Sequence, residues 1–406
     1  MTTRLRIGFL PLVDSAILVA AAERGFAEAE GLHLDLSREA SWANIRDKLV
    51  YRHHDAAHML AGLPIAATLG LSRAPTPVLA PFSLGLNGNA VTLASALTAA
   101  IEGSHGAFDL DNAAGSAAML AAAVAARRAG GAAPLRLGIV HRFSSHNYIL
   151  RYWLASAGVD ERHVRFVIVP PPLMPDALAA GEIDGFCVGE PWSSVAVAAG
   201  TGRIVALGCR IWRRGVEKVL GVRADWAATN PETLDALLRA LDRAAAWAGD
   251  AANHQDLATL LAGSAYLDRP AAMIAGVLSG QLVTGPGAAA RADDFLVLYR
   301  DTANFPWVSH ALWLYSQMIR WGQVTPSPAV EAAVRGVFRP DLYRRALAAS
   351  PTPLPGANAK VEGALDMPLA IGSRRGRLSI GPDRFFDQRR FDPDAIEDYL
   401  GEFPPA

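Results

Sequence analysis

Two cysteines in 406 residues, Cys187 and Cys209, are too few for a disulfide framework, and their separation is not that of a zinc site. Both read as small buried side chains. No stretch reaches about 18 unbroken apolar residues, so no membrane span is expected. An excess of one charge is missing too. The 38 Lys and Arg face 39 Asp and Glu, and a net charge of -1 points to no polyanionic partner and no direct contact with nucleic acid. The motifs of common chemistries are absent: no glycine-rich phosphate loop, no G-x-S-x-G elbow, no H-E-x-x-H. The adjacent histidines of "RHHD" at 52–55 would point to opposite faces of a strand, so they read as a solvated loop, not a metal site. With no nameable nucleophile or acid–base pair, catalytic residues, a metal and a cofactor are not expected.

What is present is a globular composition, 51% hydrophobic and 19% charged, in a chain too long for one ordinary core. "FLPLVDSAILVAAAERG" after Arg4 and Arg6 has the look of an export signal. Asp14 interrupts its apolar run, however, and "LRIGFLPL" reads better as a buried strand, so no export signal is expected. Strand and helix patterns then alternate through "LHLDLSREA", "SWANIRDKLVYRHH", "DAAHMLAGLPIAATLG" and "TPVLAPF". This order predicts a parallel sheet with helices on both faces. "GLNGNAV" at 85–91 reads as a turn at a crossing. A second unit starts at "LRLGIVH" (135–141) and continues through "VRFVIVPP" and "GFCVGEPWSSVAVAAG". Residues beyond 230 are mostly helical in pattern, and 351–406 reads as a surface-wrapping tail rich in Pro, Gly and Arg. The expected division is lobe one at 1–91 plus 206–350, lobe two at 92–205, and the tail. A ligand cleft would lie between the lobes, at the carboxyl ends of the strands.

One helix start stands out. "SHNYILRYWLASAG" at 145–158 opens with Ser145, His146 and Asn147, where free backbone N–H groups and the helix dipole favour an anion. His146 could donate to such a ligand or simply begin the helix, and Asn147 could cap or contact. Trp42 after Ser41 offers a lone N–H donor, suited to an oxyanion; the alternative is a core aromatic.

Several segments together resemble the nitrate- and bicarbonate-binding proteins of ABC importers over nearly the whole chain. They are "IGFLPLVDSA", "SWANIRDKLV", "DAAHMLAGLPIA", "ILRYWLASAGVD", "GEIDGFCVGEPW", "GVRADW" and, in the tail, "FDPDAIEDYL". The resemblance implies a periplasmic-binding-protein-like (type II) C-clamp of two α/β lobes with an interlobe cleft. It implies that Trp42 and His146 contact the anion. His58 at a strand end, Asn147, Phe186 and Gly189 would also line the cleft, with Leu12 as an apolar wall and Glu190 starting a helix. Without an export signal, the resemblance narrows to the cytoplasmic NasS-type nitrate/nitrite sensors. Those imply a chain that holds a NasT-type ANTAR antiterminator and releases it when nitrate or nitrite binds. The alternative is the substrate-binding component of an importer for nitrate, bicarbonate or another small anion. The family also sets a lysine against its anion. Of Lys48, Lys218 and Lys360 none is expected to fill that place, and the segment expected to carry it, 262–270, offers Arg269.

Overall fold

The computed structural model describes residues 2–71 and 73–404. The chain first lays down β1 (Thr3–Phe9), α1 (Ala16–Glu23), β2 (Leu32–Arg38), α2 (Trp42–Val50), β3 (Ala56–Leu60), α3 (Gly62–Thr68) and β4 (Val78–Ser83). It crosses through the short β5 (Leu86–Asn87) into β6 (Asn89–Ala94), α4 (Ser95–His105), α5 (Ala113–Ala129), β7 (Leu135–Ile139), α6 (Ser145–Ser156), β8 (Val164–Ile168), α7 (Met174–Ala179), β9 (Gly185–Gly189), α8 (Trp192–Ala198) and β10 (Gly202–Leu207). It then returns as β11 (Lys218–Arg223). Two five-stranded sheets result, ordered β2-β1-β3-β11-β4 and β10-β6-β9-β7-β8. The architecture is the expected two-lobed α/β binding-protein fold.

The expected parallel pairing holds for β1, β2 and β3 and for β7, β8 and β9. It fails at β11, antiparallel to β3 and β4, and at β6, antiparallel to β9 and β10. These two strands are the ones by which the chain changes lobes. Parallel strands turn their carboxyl ends toward the interlobe crevice, so a strand entering from that crevice runs the opposite way. Taking each sheet as the core of a lobe, β6 and β10 belong whole to lobe two. The expected boundaries at 91/92 and 205/206 would cut both. The crossing turn is tightly wound, with Gly85, Asn87 and Gly88 all at positive φ. Asn87 also ties the outward crossing to the return one: its amide donates to Arg213 O (2.8 Å) and accepts from Gly215 N (2.9 Å).

The tail does more than cover surface. Phe385 stacks on Trp212 at 4.8 Å between ring centres and lies 5.9 Å from Trp313, while Tyr399 accepts from Trp313 Nε1. Asp387 accepts from Tyr152 on α6. The tail therefore grips the return crossing, lobe two and the helix Val308–Arg320 at once. Inside it, Lys360 pairs with Glu362 and with Asp383 (2.6 Å) in a buried cluster beside His310.

Candidate functional site between the lobes

The site assembles where the carboxyl ends of β1 and β3 face β9 and the start of α6. Ser41 is extended, and its hydroxyl accepts from Asn44 N, which starts α2 and places Trp42 at its first turn. Trp42 is buried, and its indole N–H finds no hydrogen-bond partner among the described residues. Its ring meets His58 of β3 edge-on at 5.3 Å. Asp14, in the turn Val13–Ser15 after β1, lies with Oδ1 3.1 Å from His58 Nε2.

At the centre is Lys218, the first residue of β11. It is fully buried, its Nζ lies 2.8 Å from Asp14 Oδ2 and 2.6 Å from Glu217 Oε1, and it stands 5.3 Å from the centre of the Trp42 ring. That ring position favours a cation. Glu217 is bound from both lobes: its other oxygen accepts from Asn89 Nδ2 and Ser145 Oγ, both at 2.8 Å, and His146 Nε2 lies 3.0 Å from Oε1.

Burial sets the charges. It pushes the Asp14 carboxyl up, but Lys218 and His58 outweigh it and hold that group well below the usual range. Burial opposes the Lys218 ammonium, and Asp14 and Glu217 more than restore it, so its pKa is raised. Both histidines are pushed toward the neutral form by burial, His58 against the pull of Asp14 and His146, down to about 4, against that of Glu217.

The lobes meet over this cluster. Val13 N donates to Glu190 O (2.8 Å), and Trp192 Nε1 donates to Pro11 O (3.1 Å). Gly189 faces the cluster: a Cβ there would lie at ordinary contact distance, 3.4 Å from Asp14 Oδ2 and Leu12 Cδ2 and 3.6 Å from His146 Nε2. Leu12 is fully buried in that wall.

Of the residues singled out in the sequence, Trp42, His58, His146, Gly189 and Leu12 are brought together. Two are not. Phe186 sits on β9 at an odd offset from Gly189 and so on the opposite face, packed near Met174 and Ile183 around Gly138. The Asn147 amide donates to Arg142 O and accepts from Arg151 Nε, which leaves it a structural role, and the cap of α6 is Ser144, whose hydroxyl accepts from Asn147 N. Glu190 starts α8 as expected: it accepts from Ser194 N, and burial raises its carboxyl to about 7. None of the three lysines was expected at this place, yet Lys218 lies at the centre of the cluster. Arg269, the expected substitute, lies instead over the Trp192 ring at 5.2 Å. Asp14, noted in the sequence only as a break in an apolar run, and Glu217 were not expected in the cluster. The "RHHD" loop is also not fully solvated: His54 is buried, 3.5 Å from Glu39 and against Gly8.

Among the described residues no group of three or more His, Cys, Asp or Glu side chains could hold a metal ion, and no helix is long and apolar enough to cross a membrane.

The chain is 37% identical over 347 residues to the nitrate import ATP-binding protein NrtC of Synechocystis sp. PCC 6803, covering 84% of this chain but only 49% of that protein; it thus spans about half the length of this relative. It is 30% identical over 408 residues to the nitrate/nitrite binding protein NrtA of Nostoc sp. PCC 7120, covering 98% of this chain and 85% of that one. The crystal structure of the periplasmic nitrate-binding protein NrtA from Synechocystis PCC 6803 superposes with a TM-score of 0.86 at 27% identity, over 99% of both chains. A sequence model of the NMT1-like family matches residues 1–262, and the chain, with the two lobes and the interlobe cluster just described, belongs to that family.

Proposed function

We propose that this chain is a non-enzymatic binding protein for nitrate or nitrite, held between the lobes by Lys218, Trp42, His58 and His146. The observation that carries the reading is Lys218. A buried ammonium with three donors, beside an indole N–H without a partner among the described residues, is the donor set a small planar oxyanion needs. Relatives that match nearly the whole chain are nitrate or nitrate/nitrite binding proteins, and they supply the anion. Binding requires the lobes to part, since Trp42, His58, His146 and Lys218 are all buried. Thermal melts with nitrate, nitrite, bicarbonate and chloride test this: ligand at 100 times its dissociation constant adds about 2.7 kcal/mol. Equal melts in all four salts would refute it.

Two uses of that binding step predict different partners. In the first, lobe closure is the switch of a cytoplasmic sensor: the open form holds an ANTAR antiterminator and the closed form releases it. In the second, the closed form delivers its anion to an importer, as the names of the import relatives suggest. Size-exclusion of the chain with a candidate antiterminator, with and without nitrate, separates them. A complex that nitrate dissolves supports the sensor; no complex at all supports the importer.

A further inference from the structure

We infer that the site takes up a proton together with its anion, and that Glu217 imposes this coupling; the inference rests on the anion-binding reading above. Lys218 is the one fixed cation of the cluster among the described residues, and two carboxylates lie against it, Asp14 at 2.8 Å and Glu217 at 2.6 Å. Glu217 faces four donors or potential donors, from Lys218, Asn89, Ser145 and His146, which is the environment of an ionised acceptor. With both imidazoles neutral, the five ionisable side chains sum to one negative charge. Nitrate added to them would bring a second into a site closed to water, where like charges repel strongly.

The geometry contains the remedy. Each carboxylate has an imidazole beside it: His58 Nε2 is 3.1 Å from Asp14, and His146 Nε2 is 3.0 Å from Glu217. Both nitrogens of each ring are buried without a hydrogen-bond partner among the described residues, and Nε2 is the one with a carboxylate beside it, which leaves Nδ1 uncommitted. A proton added to one ring makes it a cation with N–H groups on both edges, one kept for its carboxylate and one free for an anion. Burial holds both rings neutral in the absence of ligand, so the proton arrives with the anion.

The other groups facing the cluster do not supply that proton's site. Trp42 from α2, Asn89 from β6 and Ser145 from α6 carry no charge. The Cys187 thiol of β9, within reach of the Glu217 and Lys218 charges, is pushed up by burial and stays neutral. His141, on the turn before α6, faces Arg46, Arg142 and Asp47 instead. Glu190 titrates near neutrality, but its carboxylate accepts from Ser194 N on α8, and it serves as the control.

The test is calorimetric titration of the full chain with nitrate, which stays an anion throughout, in two buffers of different protonation enthalpy between about pH 6 and 8. Uptake near one proton per nitrate is expected, with Kd rising about tenfold per pH unit by linkage. Glu217→Gln removes one negative charge, so it takes up fewer protons and binds more tightly at the high end of the range. Glu190→Gln behaves as wild type. A binding enthalpy independent of buffer, with a Kd constant across the range, overturns the coupling and leaves anion binding standing. Loss of proton uptake in Glu190→Gln overturns the assignment to the imidazoles. No nitrate binding at any pH overturns both the coupling and the reading beneath it. Should Glu217→Gln fail to fold, the wild-type proton count decides alone.

Discussion

Cutting Trp42 back to alanine would test packing rather than recognition, since the indole is buried and a Trp→Ala cavity costs about 3–5 kcal/mol. Trp42→Phe separates the two roles. It keeps an aromatic ring near His58 and Lys218 and deletes the N–H, which has no partner among the described residues. The expected result is a fold that melts close to wild type and nitrate affinity weakened by about 1–3 kcal/mol in calorimetry. Gly189→Ala is the complementary test. Its Cβ meets Asp14, Leu12 and His146 at ordinary contact distances, so the fold should survive, but the methyl group takes up room between the lobes. Nitrate binding should fall at least about tenfold while denaturant stability changes by about 1 kcal/mol or less; unchanged affinity would place the ligand elsewhere. Lys218→Met goes the other way. It strands Asp14 and Glu217 as buried charges, so stability should drop by about 3–5 kcal/mol along with binding. At this scale the sequence was half legible. Trp42, His58 and His146 follow strands or open helices, and polar residues at such places stand out. Lys218 was not legible, because a lysine after a glutamate at a strand's start ordinarily faces water. The available signal was the apolar run Val219–Val222 behind it, which marks a strand buried on both faces.

Alternation along β9 and capping of α6 decide which neighbours of the site belong to it. Gly185–Gly189 is buried at every position, so the sequence pattern does not tell its two faces apart. Only the pairing of Gly138 with Phe186 and the approach of His146 to Gly189 show that Phe186 turns away. At α6, three serine and asparagine residues compete for one capping position, and propensity does not choose among Ser144, Ser145 and Asn147. Ser144 caps, which frees Ser145 for Glu217 and puts His146 between the lobes. Ser144→Ala should cost about 1 kcal/mol in denaturant unfolding, with a loss of nitrate affinity as well if the helix start positions His146.

Across the whole molecule, pH reports how the buried histidines are held. His146 and His141 are neutral in the fold, each pushed down to about 4, against an ordinary value near 6.5. The unfolded chain therefore binds more protons than the folded one between those values. The stability these groups contribute is complete above pH 6.5 and is lost as pH falls toward 4, on the order of 3 kcal/mol for each histidine. Below that range Asp14 adds to the loss, because its carboxyl is held low in the fold and must be protonated on unfolding in acid. Glu190 opposes part of this loss, because burial raises its carboxyl to about 7 and the fold then binds its proton more readily than the unfolded chain does. Denaturant unfolding of Glu190→Gln at pH 7.5, 6 and 5 should therefore show a steep decline, and a flat profile in that variant would mean that the histidines are already charged in the fold.

The order of elements, the two-lobed division and the aromatic and histidine members of the site were written in local sequence, because periodicity, turn residues and helix starts are set by neighbours along the chain. The antiparallel entry of β6 and β11, the ends of the lobes, the anchoring of Phe385 in the Trp212–Trp313 surface and the meeting of Asp14, Glu217 and Lys218 were decided only in three dimensions. Asp14 and Lys218 are more than 200 residues apart, and no local rule brings them together. A buried ammonium is stable only because distant carboxylates arrive beside it, and that compensation exists once β11 has returned from the second lobe into the middle of the first sheet.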